Sequence, residues 1–189
     1  MNVSGGLALG VLAGGQGRRV GGRDKAWLAR QGRSQLEHLL AMLPVGAFSE
    51  RLASVRSDDP RWQAFGFRCV SDLRPGFGGP LAGLEALATA SRSDRLLALP
   101  VDALDLPADL LPRLRAACTS DGAWLRDRSG LQPLIGLWRT SALRAAAASA
   151  LDRGEHAVHR ALAVLSPAEL DISPAGVGNA NTPADFDPT

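Results

Sequence analysis

Cysteine is almost absent from these 189 residues: Cys69 and Cys118 stand far apart, with no CxxC or Cys/His spacing. That excludes a zinc motif and a disulfide framework and fits a reducing compartment. Lysine is scarcer still, because of 21 basic residues only Lys25 is not arginine. No stretch approaches the ~18–20 apolar residues of a membrane span. The N-terminus has no basic segment ahead of its apolar run, which argues against a signal peptide. Arg18-Arg19 is followed by Gly21, Gly22, Arg23 and Asp24 rather than an apolar core, which argues against a twin-arginine signal. A strong excess of one charge is missing too; a net charge of +2 is a weak basis for a nucleic-acid surface. These absences point to a cytoplasmic protein that has neither nucleic acid nor membrane as a partner.

What is present is ordinary globular chemistry, 46% hydrophobic and 21% charged, which sets aside disordered and fibrous classes. The length suits one domain over 1–189, and no repeat, linker or composition break divides it. Short apolar runs alternate with longer helical patterns, as in βαβ units around a mainly parallel sheet. Leu7–Ala13 reads as a buried strand. Ser34–Leu43 reads as a helix with Ser34 as N-cap and Glu37 completing a capping box. Arg51–Val55 and Phe67–Val70 follow as strands, Leu81–Ala90 as a helix, Arg95–Leu99 as a strand and Asp109–Cys118 as a helix. Ala123–Arg126 and Leu134–Trp138 read as strands about a turn at Asp127–Gly130, then Ser141–Leu151 and His156–Leu165 as helices. The tail from Pro174 is turn-rich and is expected to lie over the surface.

The richest segment is Leu12-Ala-Gly-Gly-Gln-Gly-Arg-Arg-Val-Gly-Gly-Arg-Asp-Lys25. Five glycines in nine positions after a buried strand let backbone N–H groups turn inward and cradle phosphate oxygens. Arg18, Arg19, Arg23 and Lys25 add positive charge. A Walker A loop fails because Asp24 precedes Lys25 and Ala26 follows it, and a GxGxxG fingerprint fails at Val20. The plain alternative is a solvated surface loop. Against it, the loop leaves the C-terminal end of the first strand, where open α/β sheets place ligands, and a lone ammonium differs from a guanidinium.

This segment resembles the N-terminal signature of the molybdenum cofactor guanylyltransferases, the molybdopterin-guanine dinucleotide biosynthesis protein A family, within the nucleoside-triphosphate transferases. The resemblance implies a three-layer α/β, Rossmann-like, nucleotide-diphospho-sugar transferase-like fold with a mainly parallel sheet. It also implies a nucleotide-binding part up to about residue 105 and an acceptor-binding remainder. Asp72-Leu-Arg-Pro-Gly-Phe-Gly-Gly-Pro-Leu-Ala-Gly-Leu84 is similar to the family's Asp…Gly-Pro-Leu-Ala-Gly block, and Pro100-Val-Asp102 to its metal-binding Pro-x-Asp. Gln132-Pro-Leu-Ile-Gly-Leu-Trp138 resembles its acceptor strand; read alone it is an edge strand, since Pro133 cannot donate to a central ladder. Asn179-Ala-Asn-Thr-Pro183 resembles its C-terminal Asn-x-Asn-Thr-Pro block, with Thr182-Pro183 capping a final short helix.

Carried over residue by residue, the resemblance implies Lys25, Asp102 and Arg19 as catalytic. It implies nucleotide contacts from Leu12, Ala13, Gly14, Gly15, Gly17, Lys25, Ser54, Asp72, Gly79 and Asp102. Asp102 would hold Mg²⁺, which takes one or two carboxylates and leaves its other positions to phosphates and water. Gln132, Pro133, Asn179 and Asn181 would face the acceptor. The implied reaction moves GMP from GTP to the phosphate of molybdopterin, with molybdenum-insertion or molybdoenzyme-maturation proteins as further partners. Two places depart from the family: Ala53-Ser-Val-Arg-Ser57 lacks asparagines near the base, with Ser54 or Arg56 as substitutes, and His156 stands where arginine is expected. A cytidylyltransferase for molybdopterin, a sugar-phosphate nucleotidyltransferase and a non-catalytic GTP-binding adaptor stay open as alternatives.

Overall fold

The computed structural model describes residues 5–15, 24–76, 79–180 and 182–187. Strand β1 (Leu7–Leu12) is followed by a 3₁₀ turn at Lys25–Trp27, the hairpin β2 (Ala29–Arg30) and β3 (Arg33–Ser34), and helix α1 (Gln35–Ala41). Next come β4 (Glu50–Ser54), α2 (Arg61–Ala64), β5 (Arg68–Val70), α3 (Gly79–Ala90), β6 (Arg95–Pro100) and β7 (Ala103–Leu104). Helix α4 (Leu110–Ala117), β8 (Gly122–Asp127), β9 (Gly130–Arg139), α5 (Thr140–Asp152) and α6 (Val158–Ala163) lead to β10 (Ala168–Asp171) and β11 (Gly178–Asn179). A 3₁₀ turn at Pro183–Asp185 closes the described chain.

Seven strands form one sheet in the order β10-β8-β9-β6-β1-β4-β5. β6, β1, β4 and β5 run parallel, and β9 opposes both of its neighbours, β6 and β8. The central strands β1 and β6 are apolar at nearly every position because both faces are covered. Leu7, Leu9, Val11, Leu97 and Leu99 pack on one side with Leu36 and Leu39 of α1 and Leu111 and Leu114 of α4. Ala8, Leu52, Leu96 and Ala98 pack on the other with Leu81, Leu84 and Leu87 of α3 and Leu143 and Ala147 of α5. This is the expected three-layer, mainly parallel α/β architecture.

The capping box forms as read: Ser34 Oγ accepts from Glu37 N at 3.3 Å and Glu37 Oε2 from Ser34 N at 2.8 Å. Three expectations are corrected. The 132–138 segment is no edge strand, since β9 lies inside the sheet between β6 and β8. Pro133 is tolerated because the ladder is broken there: Trp124 pairs with Gly136 but Leu125 with Gln132, so residues 133–135 bulge out of the pairing. The helix expected from His156 starts at Val158, because Glu155 Oε1 accepts from Ala157 N at 2.7 Å and holds that segment in a turn.

The tail is the third correction. Rather than skirting the surface, it returns into the molecule, burying Val177, Ala180 and Phe186, the last two against Leu28. β11 pairs with β7, placing Asn179 opposite Ala103. Asp187 accepts from the N–H groups of Gln31 and Gly32, both at 2.8 Å, in the left-handed turn of the β2–β3 hairpin. Thr182 meets the final turn as a donor, its N–H and hydroxyl both reaching Asp185 Oδ2. Strand β10 was not foreseen. Trp62, Trp124 and Trp138 are core, and Trp27 packs edge-on to Trp62 at the rim.

Candidate active site

Parallel strands deliver their C-terminal ends to one edge, where ligands of open α/β sheets bind. Here the register puts Leu12 between Ser54 and Pro100. Past that edge, Ala13 N donates to Ser54 O at 2.9 Å and Val101 N to Leu12 O at 3.1 Å, so the strands stay joined to the mouth of the glycine loop. A cleft of about 210 Å³ opens there. Among the residues read from the sequence, Leu12, Gly14, Gly15, Ser54, Asp72, Gly79 and Asp102 line it. Ala13 does not, its amide being engaged by Ser54. Gly17 and Arg19 lie outside the described residues, and Arg56 is exposed and away from the lining.

Lys25 sits on the 3₁₀ turn that Asp24 caps, with Asp24 Oδ1 accepting from Ala26 N at 3.0 Å. That cap sends the lysine back over the sheet edge. Its Nζ lies 2.8 Å from Asp102 Oδ2, joining residues 77 apart in the chain. Both side chains are about one-fifth exposed, 21% and 20%, so the pair is reachable from solvent yet partly shielded. Ala180 N donates to the Asp102 carbonyl at 3.0 Å, which fixes the backbone there from the tail. Among the described residues no side chain donates to Asp102 Oδ1. No cluster of three or more His, Cys, Asp or Glu that could hold a metal exists among them either. One carboxylate with an uncommitted oxygen at a phosphate-sized cleft fits a hard divalent cation that draws most of its ligands from phosphate and water. It does not fit a cation held by protein alone.

Asp72 also lines the first cleft. Burial, and then the nearby Glu85 carboxylate, push its carboxyl above the ordinary range. Such a group is ready to accept N–H donors from a ligand, since these favour its ionised form.

A second cleft of about 410 Å³ adjoins the first, and Pro100, Asp102 and Leu134 line both. Gln132, Pro133 and Asn179 line it as read, and Asn181 lies outside the described residues. Gln132 is anchored, its Nε2 donating to Asp127 Oδ1 at 3.1 Å. His159 also lines this cleft, whereas His156 is exposed before the helix, so the two do not form a joint ligand pair.

Sequence reading missed Pro80, Gly83, Pro100 and Leu134 in the first cleft and His159 in the second. Gly83 had a signal, as the last glycine of the Gly-Pro-Leu-Ala-Gly run. Leu134 had none, because its place depends on the bulge in β9.

Known proteins are similar to this chain in sequence and in fold. The family model described as MobA-like NTP transferase domain matches residues 9–167. A molybdenum cofactor guanylyltransferase of Shewanella halifaxensis (strain HAW-EB4) is 34% identical over 182 residues, covering 92% of this chain and 88% of the relative. Its counterpart from Shewanella sp. (strain MR-4) is 35% identical, covering 92% and 89%. Among solved structures, molybdopterin-guanine dinucleotide biosynthesis protein A from Archaeoglobus fulgidus superposes with a TM-score of 0.66 at 20% identity, covering 94% of each chain. CMP:2-keto-3-deoxy-manno-octonic acid synthetase complexed with CTP gives 0.70 at 16% identity, covering 95% and 94%. The structural likenesses establish the shared fold of nucleotidyltransferases. With five-sixths of its length inside the family model and relatives above 30% identity, the chain belongs to the MobA-like NTP transferase family.

Proposed function

We propose that this chain is a nucleotidyltransferase that moves GMP from GTP to the phosphate of molybdopterin, with Mg²⁺ as the divalent cation. The observation that carries the reading is the Lys25–Asp102 contact at the junction of two adjoining clefts. A reaction between two substrates needs both held against one charged point, and a binding module needs only one cleft. The guanylyltransferase names of the relatives support guanine as the base and molybdopterin as the acceptor.

In this reading residues up to about 105 hold the nucleotide, and the remainder holds the acceptor. An acceptor phosphate oxygen attacks the α-phosphorus of GTP in line. The bond from that phosphorus to the β-bridging oxygen breaks, and pyrophosphate leaves. The attacking phosphate is already ionised near neutral pH, so no side chain has to remove a proton. Lys25 supplies a point charge to the departing pyrophosphate. Asp102 would hold the cation, which when bound neutralises charge on the phosphate oxygens. Asp72 and Ser54 offer polar contacts for base or ribose, and Gly14 and Gly15 line the cleft where the phosphates would lie. Gln132 and Asn179 orient the acceptor. The work takes place in the cytoplasm, and the product passes to proteins that insert molybdenum or mature molybdoenzymes. No helix among the described residues is long and apolar enough to cross a membrane.

The test is turnover of Asp102→Asn and Lys25→Met with saturating GTP, molybdopterin and Mg²⁺. Each is expected to lose about 10²–10³-fold in kcat, the scale of removing one transition-state charge contact, with the fold intact by circular dichroism. Near-normal rates in both variants would overturn the assignment.

A further inference from the structure

We propose that Arg74 is a positioning residue of the nucleotide cleft, a clamp that holds the 71–76 segment, and Asp72 with it, against helices α3 and α5. The proposal rests on the reading of the first cleft as the nucleotide site. A single guanidinium makes four polar contacts. Nε donates to Glu85 Oε2 at 2.9 Å and Nη2 to Glu85 Oε1 at 2.8 Å, a two-pronged grip on α3. Nη1 donates to Asp152 Oδ1 at 2.7 Å and Nη2 to the Ala148 carbonyl at 3.2 Å, both on α5.

Little else restrains this segment. It carries no regular structure, and Ser71, Leu73, Pro75 and Gly76 are exposed, so apolar burial does not hold it. Among the described residues, no other side chain of 71–76 is hydrogen-bonded. Asp72 nevertheless has to meet its ligand at the cleft wall, only two residues from the clamp. The far end of the clamp is well chosen. Glu85 sits two residues past Gly83, which also lines the cleft, so one grip sets the segment relative to the cleft floor. The Glu85 side chain is only 7% exposed, and a buried carboxylate stripped of its partner is costly.

Lysine in place of Arg74 keeps the charge but cannot grip two helices through one rigid plane.

The experiment compares full-length Arg74→Gln, Arg74→Lys and the double variant Arg74→Gln with Glu85→Gln. It reads cleavage within 71–76 by limited proteolysis without ligand, GTP affinity by calorimetry in Mg²⁺, and Tm. Arg74→Gln is expected to speed cleavage in 71–76 while β1 and β6 stay uncut, and to weaken GTP binding about tenfold, the scale of losing a charged hydrogen bond. Arg74→Lys should recover part of that affinity. The double variant should regain Tm, because the orphaned charge is removed, but neither the affinity nor the resistance to cleavage. Wild-type cleavage and wild-type GTP affinity in Arg74→Gln or the double variant, whatever their Tm, would overturn the proposal. Faster cleavage in a protein whose wild type binds no nucleotide would sink the nucleotide reading and support the clamp by itself.

Discussion

Gly83 and Ser54 meet so closely that a Cβ at position 83 would lie 2.8 Å from Ser54 Oγ, and 2.7 Å from Leu12 Cδ2. Helix α3 can therefore settle onto the ends of β1 and β4 and still leave Gly79 at the cleft mouth. Gly83→Ala improves helix propensity by ~1 kcal/mol, which offsets the repacking. Leu12 and Ser54 both line the cleft, so displacing their tips disturbs its wall. We expect a Tm close to wild type and GTP affinity reduced about tenfold by calorimetry, as for overpacking at a close-fitted wall.

Asp127 links the acceptor side to the tail. Its Oδ2 accepts from Val177 N at 2.8 Å, and its Oδ1 from Ser129 N at 2.8 Å and Gln132 Nε2. Burial pushes its carboxyl up, but these three donors outweigh that and hold it below the ordinary value of 3.8. A carboxyl lower in the folded than in the unfolded chain stabilises above the unfolded value and loses that contribution as pH falls through the folded one. Glu50, with donors from Ser91, Arg92 and Ser93, behaves alike below 4.5. Asp127→Asn should cost about 1–3 kcal/mol in denaturant unfolding at pH 7. It should also flatten part of the loss that wild type shows below pH 4.

The Cys69 thiol is pushed up to about 11, first by burial and then by a hydrogen bond with Asp58. At neutral pH it carries roughly a hundredfold less thiolate than an ordinary cysteine. Alkylation mapped by mass spectrometry should find it slow, and Cys69→Ala should keep wild-type turnover. A collapse of turnover in that variant would point to a covalent route.

Leu134 forms a wall of both clefts. Leu134→Ala is expected to raise KM for nucleotide and acceptor together, about three- to tenfold each from lost apolar contact. A change in one KM alone would separate the clefts that the account joins.

Much of this was readable in the chain because it is local. The capping box at Ser34 and Glu37, the buried run into the glycine loop and the aspartate after Pro100 depend on neighbours a few residues away. The central place of β9 was not legible, since Pro133 forbids a regular ladder and only the bulge at 133–135 removes the conflict. The tail misled for a related reason. Gly, Asn and Pro signal turns, but whether turns lie outside or fold back under Leu28 depends on partners more than a hundred residues away, such as the hairpin that Asp187 caps. Within the site, Lys25 and Asp102 were each legible by type and position. Their 2.8 Å contact was not, because it depends on the Asp24 cap and on the tail strand beside Ala103.

The most direct test of the central claim is pyrophosphate release by the purified protein with molybdopterin and Mg²⁺, offering GTP, CTP, ATP and UTP separately. Release is expected with GTP alone, and is expected to be lost without Mg²⁺ or without molybdopterin. Release with CTP instead, or silence with all four while GTP still binds, would contradict it.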